Sequence, residues 1–271
     1  MLTAQQENVE PAAKPADAVP PSLTEDGFLG GRVKVLQPQK GYRAGIDAVF
    51  LAASIPIKPG QTALEAGYGV GVVSLCVAAR VAGVHITGVE IASRYSILGE
   101  ENIKRNDLVG NIQIITGDIK DATRKDLTQW PPSESFNHVY ANPPFFDEDK
   151  VTRSPISLRS AARSFEPEDL EAWVKVMSTL VVPKGTVTMI HRADSLGRIL
   201  AAFTACKLGG IHISPLHARE GYPASRVVVQ GIKNSRAPMQ VLRGLVLHDD
   251  TNAFTAEASA ILRDGVAYSL R

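Results

Sequence analysis

Four consecutive residues, Asn142-Pro143-Pro144-Phe145, are the most specific chemical signal in the chain. Adjacent prolines fix the backbone and remove two N–H donors, so the carbonyls of this turn face outward as acceptors. The Asn142 side-chain oxygen and the Pro143 carbonyl can each accept one N–H of an amino group. An amino group conjugated to a ring is a poor nucleophile because its lone pair is delocalised. Two acceptors draw the nitrogen toward tetrahedral geometry and aim the lone pair at an electrophilic methyl carbon. The result is an in-line displacement governed by positioning and electrostatics, with no strong base required. Phe145 offers a face for a planar ring to stack on, worth about 1–3 kcal/mol per base. By itself such a tetrapeptide is also a simple turn, so its surroundings must decide.

Those surroundings contain a ligand loop. The stretch Glu65-Ala66-Gly67-Tyr68-Gly69-Val70-Gly71 leaves a strand and enters a helix. Glycines let a turn pass close to a ligand, and the helix start beyond it offers unpaired N–H groups. A dinucleotide fold wants Gly-x-Gly-x-x-Gly, and here the last position is Val72. The spacing is instead Glu-x-Gly-x-Gly-x-Gly. Glu65 would repel a pyrophosphate but attract the ammonium of S-adenosylmethionine, directly or through water. Glu90 ends the next strand, where a carboxylate can accept both ribose hydroxyls. Asp118 ends the third, placed to accept from the adenine amino group. Both acids could also simply cap the helices that follow them.

Several elements must position these groups. Strands are expected near 62–66, 85–90, 112–116, 137–141, 186–191, 212–215 and 226–232. Helices fill the gaps at 71–81, 94–106, after Asp118, 167–180 and 195–207. This alternation is that of a parallel sheet with right-handed crossovers. Pro183-Lys184-Gly185 reads as a turn feeding the fifth strand. The last two strands are joined by HAREGYPAS, too short for a helical crossover, so they form an antiparallel pair. The expectation is a Rossmann-like, seven-stranded class I methyltransferase sheet, its last strand reversed, with a short N-terminal hairpin and helix. In domain terms, 1–24 is a disordered tail and 25–271 a single catalytic domain. Within it, 25–60 is an N-terminal extension, 61–234 the core sheet and 235–271 a C-terminal cap.

Composition sets broad limits. With 271 residues, 44% apolar and 21% charged, the chain can bury a full core. Its two cysteines, Cys76 and Cys206, lie far apart with no metal-ligand spacing. That argues against a disulfide framework or zinc site and for a reducing cytoplasm, with both thiols buried. His191, His212 and His217 likewise lack ligand spacing, so no metal is expected. The N-terminus lacks a basic start and an apolar stretch, and no segment is long and apolar enough to span a bilayer. The net charge of +1 is unremarkable. Its distribution is not: between Lys184 and Arg243 stand nine Lys and Arg against Asp194 and Glu220. Such asymmetry suits a phosphate backbone, although a solvated basic face has the same composition.

With these motifs together, the chain resembles the bacterial tRNA(Val) adenine-N6 methyltransferases, within the wider group carrying Asn-Pro-Pro-Phe/Tyr. The resemblance runs from about Asp26 to Gly265. Before the glycine loop, QPQKGYRAGIDAVFLAA matches the family's leading segment, with Tyr42, Arg43 and Asp47 in place. It implies that Asp47 helps hold the methionine end of the cofactor; the alternatives are a helix cap for Asp47 and an ion pair for Arg43. After the tetrapeptide, DEDKVTRSPISLRSAARS is similar to the family's post-catalytic loop, with Arg153, Arg159 and Arg163. HAREGYPASRVVVQGIKNSRAP is similar to its C-terminal hairpin, bringing Arg219 and Arg226 toward RNA. The implied cofactor is S-adenosylmethionine and the implied substrate an unpaired adenine in tRNA, which avoids the cost of flipping a duplex base. Two positions depart from the pattern. Tyr68 replaces a small residue, so its ring must turn away from the cofactor or line its methionine side. Gly99 interrupts the second core helix. A glutamine-N5 protein methyltransferase and a non-catalytic RNA-binding protein are the competing readings.

Overall fold

Runs rich in β-branched residues, each followed by an amphipathic segment, build a layered α/β structure. The computed structural model describes residues 22–41, 43–124, 128, 130–144 and 169–270. An antiparallel hairpin, β1 (Leu23–Phe28) and β2 (Val33–Pro38), precedes α1 (Ile46–Ser54). Then β3 (Thr62–Ala66), α2 (Val72–Arg80), β4 (His85–Glu90), α3 (Ser93–Arg105) and β5 (Ile112–Thr116) follow in alternation. A 3-10 turn, Ile119–Thr123, leads toward β6 (Phe136–Ala141). The chain continues with α4 (Asp169–Leu180), β7 (Val181–Arg192), α5 (Leu196–Ala205), β8 (Leu208–Arg219) and β9 (Ala224–Lys233).

The sheet runs β8-β9-β7-β6-β3-β4-β5, with β3 to β7 parallel and β9 antiparallel to both its neighbours. This is the expected reversal, and its cause is the short β8–β9 connection. Side chains alternate between two apolar layers. Ala63 and Tyr140 face α1, α2 and α3 with Phe50, Leu75 and Leu98. Leu64, Ala66, Val139 and Ala141 face α4 and α5 with Leu170, Met177 and Phe203.

Two features differ from the sequence expectation. The segment 235–271 is more than a cap, because β10 (Gln240–Val241) and β11 (Leu245–His248) both pair in parallel with β8. Strands of two and four residues are too short to show alternation, and what creates them is the edge of β8 that they cover. β7 also starts at Val181 rather than near Thr186, so Pro183-Lys184-Gly185 lies inside the strand. There the β6–β7 register shifts, and Lys184 takes a φ of 68°. The end of the chain is fastened to α1 and β8: the Tyr268 N–H donates to the Ala53 carbonyl at 2.9 Å, and its hydroxyl meets Ser214 Oγ.

Candidate active site

Strand ends bring the motifs together. In the parallel β3–β6 pair, Ala66 lies opposite Ala141, so Gly67 and Asn142 leave the sheet side by side. Neighbouring strands are about 4.8 Å apart, which sets the glycine loop directly beside the proline turn. Asn142 is half-buried, Pro143 buried and Pro144 exposed. Gly67, Gly69 and Gly71 have φ of 75°, 56° and 93°, conformations that favour glycine over residues with a Cβ. Gly71 is the residue at which α2 begins.

The three strand-end acids each also serve the fold. Glu65 is only 2% exposed, and its Oε2 accepts from the N–H of Ser74 at 3.1 Å and from the Ser74 hydroxyl. Tyr140 Oη sits 2.8 Å from that same hydroxyl. The carboxyl thus lies inside the first turn of α2, and burial pushes its pKa up to about 8. Glu90 ties the loop to the next turn: Oε2 accepts from Gly69 N–H and Oε1 from Ala92 N–H, both at 2.8 Å. Burial raises its pKa, opposed by those N–H groups. The Ile91 N–H also reaches the carboxylate, so three donors meet its four lone pairs and one is left for a further donor. Asp118 Oδ1 caps the 3-10 turn through Lys120 N–H at 2.9 Å, and its Oδ2 lies 3.7 Å from Lys120 Nζ. Gly117, just before it, donates to the Glu90 carbonyl at 2.9 Å, so Glu90 and Asp118 stand at neighbouring strand ends.

Tyr68 is turned away from the strand ends. It is 2% exposed and its ring fills a slot formed by three glycines. A Cβ on Gly99 would lie 2.7 Å from Tyr68 Cε1, and one on Gly71 or Gly88 would overlap the ring. The two departures from the family pattern therefore explain each other: Gly99 interrupts α3 because Tyr68 occupies its space. The Tyr68 hydroxyl has no hydrogen-bond partner among the described residues, and burial holds its pKa well above the usual phenol value.

Other candidates fall elsewhere. Asp47 accepts from Arg226 Nε at 2.8 Å, so two residues expected to hold different ligands hold each other. Arg43 pairs with Asp26 and also donates to Thr24 and Pro38, the structural alternative named above. Arg219 donates to Asn252 Oδ1 at 2.9 Å. Tyr42, Phe145, Arg153, Arg159 and Arg163 lie outside the described residues. His191, beside the end of β6, is 5% exposed, and burial pushes its pKa down to about 4, leaving it neutral. Burial pushes the Cys76 thiol up to about 12, whereas Cys206 is only half-buried. It lines a groove of about 590 Å³ between α4 and α5, with Lys175, Ser178 and Lys207, on the helical layer and not at the strand ends.

The basic surplus changes meaning in three dimensions. Arg192 pairs with Asp194, Arg198 with Glu171, Arg226 with Asp47, Lys233 with Glu134 and Arg243 with Glu257. Four of those five carboxylates come from outside the stretch that held the surplus. Lys184 and Lys207 stand at the start of β7 and β8, at the end of the sheet opposite Asn142. Sequence reading missed Trp173: a Cβ on Gly67 would lie 2.8 Å from its Cη2. Trp173 is a single aromatic on an otherwise core-facing helix, which carries no local signal. Among the described residues no group of three or more His, Cys, Asp or Glu could hold a metal ion, and no helix is long and apolar enough to cross a membrane.

The methyltransferase small domain family matches residues 43–165. A Shewanella baltica (strain OS185) protein named tRNA1(Val) (adenine(37)-N6)-methyltransferase is 27% identical over 188 residues, 69% of this chain and 76% of its own. A Bacteroides fragilis (strain YCH46) protein of the same name is 28% identical over 173 residues, 64% of this chain and 70% of its own. Among solved structures, a predicted O-methyltransferase from Agrobacterium tumefaciens superimposes with a TM-score of 0.67 at 25% identity. That match covers 82% of this chain and 98% of the other. A tRNA (m1A58) methyltransferase from Aquifex aeolicus gives a TM-score of 0.50 at 15% identity, covering 73% and 72%.

Proposed function

We propose, from the premise that the chain carries a methyltransferase small domain, that it moves a methyl group from S-adenosylmethionine to N6 of an unpaired adenine in tRNA. The observation that carries this reading is the register that sets Asn142-Pro143-Pro144 beside Gly67. The names of the Shewanella and Bacteroides relatives support the adenine and the tRNA. Such a substrate implies a cytoplasmic enzyme.

The residues present fit the methyl donor. Glu90 keeps some acceptor capacity at a strand end, and Ile91 next to it is 55% exposed, an apolar surface beside that acceptor. Asp118 retains acceptor capacity at the neighbouring strand end. The Gly67–Gly71 loop admits close backbone approach. Glu65 acts one step back, by holding the first turn of α2 through Ser74. When bound, S-adenosylmethionine supplies an electrophilic methyl group on a sulfonium.

The chain itself orients the amine. Asn142 Oδ1 and the Pro143 carbonyl accept its two N–H groups, and the proton is lost from nitrogen to solvent once the methylated product leaves the site. His191 is neutral but is not needed as a base, since the nitrogen becomes acidic once methylated. Hydroxyl transfer, which the Agrobacterium structure's description suggests, would leave one of the two acceptors idle because a hydroxyl carries one hydrogen.

The test is to incubate the protein with labelled cofactor and total RNA from a strain lacking it, then analyse nucleosides. Label in N6-methyladenosine is expected. Label confined to protein would overturn the reading in favour of glutamine methylation, and no label in either would favour a binding protein without catalysis.

A further inference from the structure

We infer that Trp173 is a wall of the transfer site, holding the methionine end of the cofactor against Gly67 and keeping water from the gap toward Asn142. This rests on the proposed methyl transfer. The far edge of the indole points at Gly67: a Cβ there would lie 2.8 Å from Cη2 and 3.3 Å from Cζ3. Gly67 is also the residue next to Asn142 across the β3–β6 pair. The transferred methyl must pass between these two positions, so the ring stands at the edge of its path.

The helix that carries Trp173 is also fastened beside Asp118, two strands away from Gly67. Lys120 Nζ lies 2.9 Å from Asp169 Oδ1, in the first turn of α4, and 3.7 Å from Asp118 Oδ2. Thus α4 reaches the strand ends beside Asp118 through an ion pair and at Gly67 through an indole. Trp173 itself is only half-buried, although the apolar layer beneath it includes fully buried Leu170, Val174 and Met177. Trp173 packs on that layer with one side, and a large apolar ring left partly open beside a glycine also has the shape of a ligand wall. Excluding water there strengthens the two acceptors on the amine.

The chain has two tryptophans, so a direct readout is available. Trp130 packs near Gly117, with Cζ2 3.0 Å from a Cβ built there, and its signal must be removed. In full-length Trp130→Phe, Trp173 is the only indole. Saturating S-adenosylhomocysteine, with binding checked by calorimetry, is expected to cut acrylamide quenching of Trp173 by about twofold or more. In kinetics, Trp173→Ala is expected to raise KM for S-adenosylmethionine about tenfold, and Trp173→Phe to recover most of it. Should Trp130→Phe not fold, fluorine NMR of the chain carrying 5-fluorotryptophan gives the same readout, with the Trp173 resonance assigned through Trp173→Phe. Binding heat with an unchanged Trp173 signal overturns the wall while sparing the methyltransferase reading. Absence of any binding heat overturns both.

Discussion

Asn142 and Glu65 represent two kinds of residue in this site. Asn142 is half-buried at a strand end, where its side chain can reach a substrate. Asn142→Ala should reduce turnover by about two orders of magnitude or more while calorimetry with S-adenosylhomocysteine changes little, because the lost acceptor acts on the amine. Unchanged turnover would remove it from the mechanism. Glu65 is sealed against Ser74, with a pKa of about 8 against an ordinary 4.5. Between those values the folded state holds a proton that the unfolded chain has released. Stability from this group is therefore full below about pH 4.5 and falls as pH rises toward 8, by up to about 1.4 kcal/mol per pH unit. Urea denaturation at pH 5, 6, 7 and 8 should show that Glu65→Gln flattens this decline; equal slopes in both proteins would contradict it. The identity and spacing of these two residues were legible in the sequence. Their difference in exposure was not, because it depends on Ser74 and Tyr140, nine and 75 positions further along the chain from Glu65.

At the scale of elements, the strands were the easiest part to read, since apolar runs bounded by turns have little alternative to a buried sheet. The exceptions are instructive. β10 and β11 exist because β8 offers them an edge, and a local pattern cannot report an edge. α3 contains Gly99 in its interior, which by propensity alone costs about 1 kcal/mol relative to alanine. Packing reverses that preference here, as an added Cβ would meet Tyr68 Cε1 and Ile114 Cδ1, each at 2.7 Å. Gly99→Ala should accordingly lower stability by about 1–3 kcal/mol. In a Tyr68→Ala background, already weakened by its own cavity, the same change should be neutral or stabilising. A double-mutant cycle in urea measures the coupling, and additivity would refute the glycine slot.

For the whole molecule, charge is the property that changed most between chain and fold. The lopsided count between Lys184 and Arg243 suggested a continuous phosphate-binding face. Folding brought carboxylates from α1, α4, the segment before β6 and the C-terminal region onto four of those nine cations, and a fifth, Arg192, pairs with Asp194 of the same stretch. Of the others, Lys184 and Lys207 lie at the far end of the sheet. Reversing both charges, Lys184→Glu with Lys207→Glu, should leave KM for tRNA within about twofold. Replacing Arg153, Arg159 and Arg163 by alanine should raise it severalfold and flatten its dependence on salt, as measured by initial rates at several salt concentrations. An equal effect of both sets would restore the continuous face. By itself the sequence determined the order of strands and helices, the reversed strand, the glycine loop and the proline turn, because periodicity, short connections and the special backbones of Gly and Pro are local properties. Only the tertiary structure decided that Ala66 and Ala141 share a register and that Tyr68 has its slot. It alone placed Trp173 at Gly67 and neutralised most of the basic stretch, because contact and charge pairing join residues that are distant in the chain.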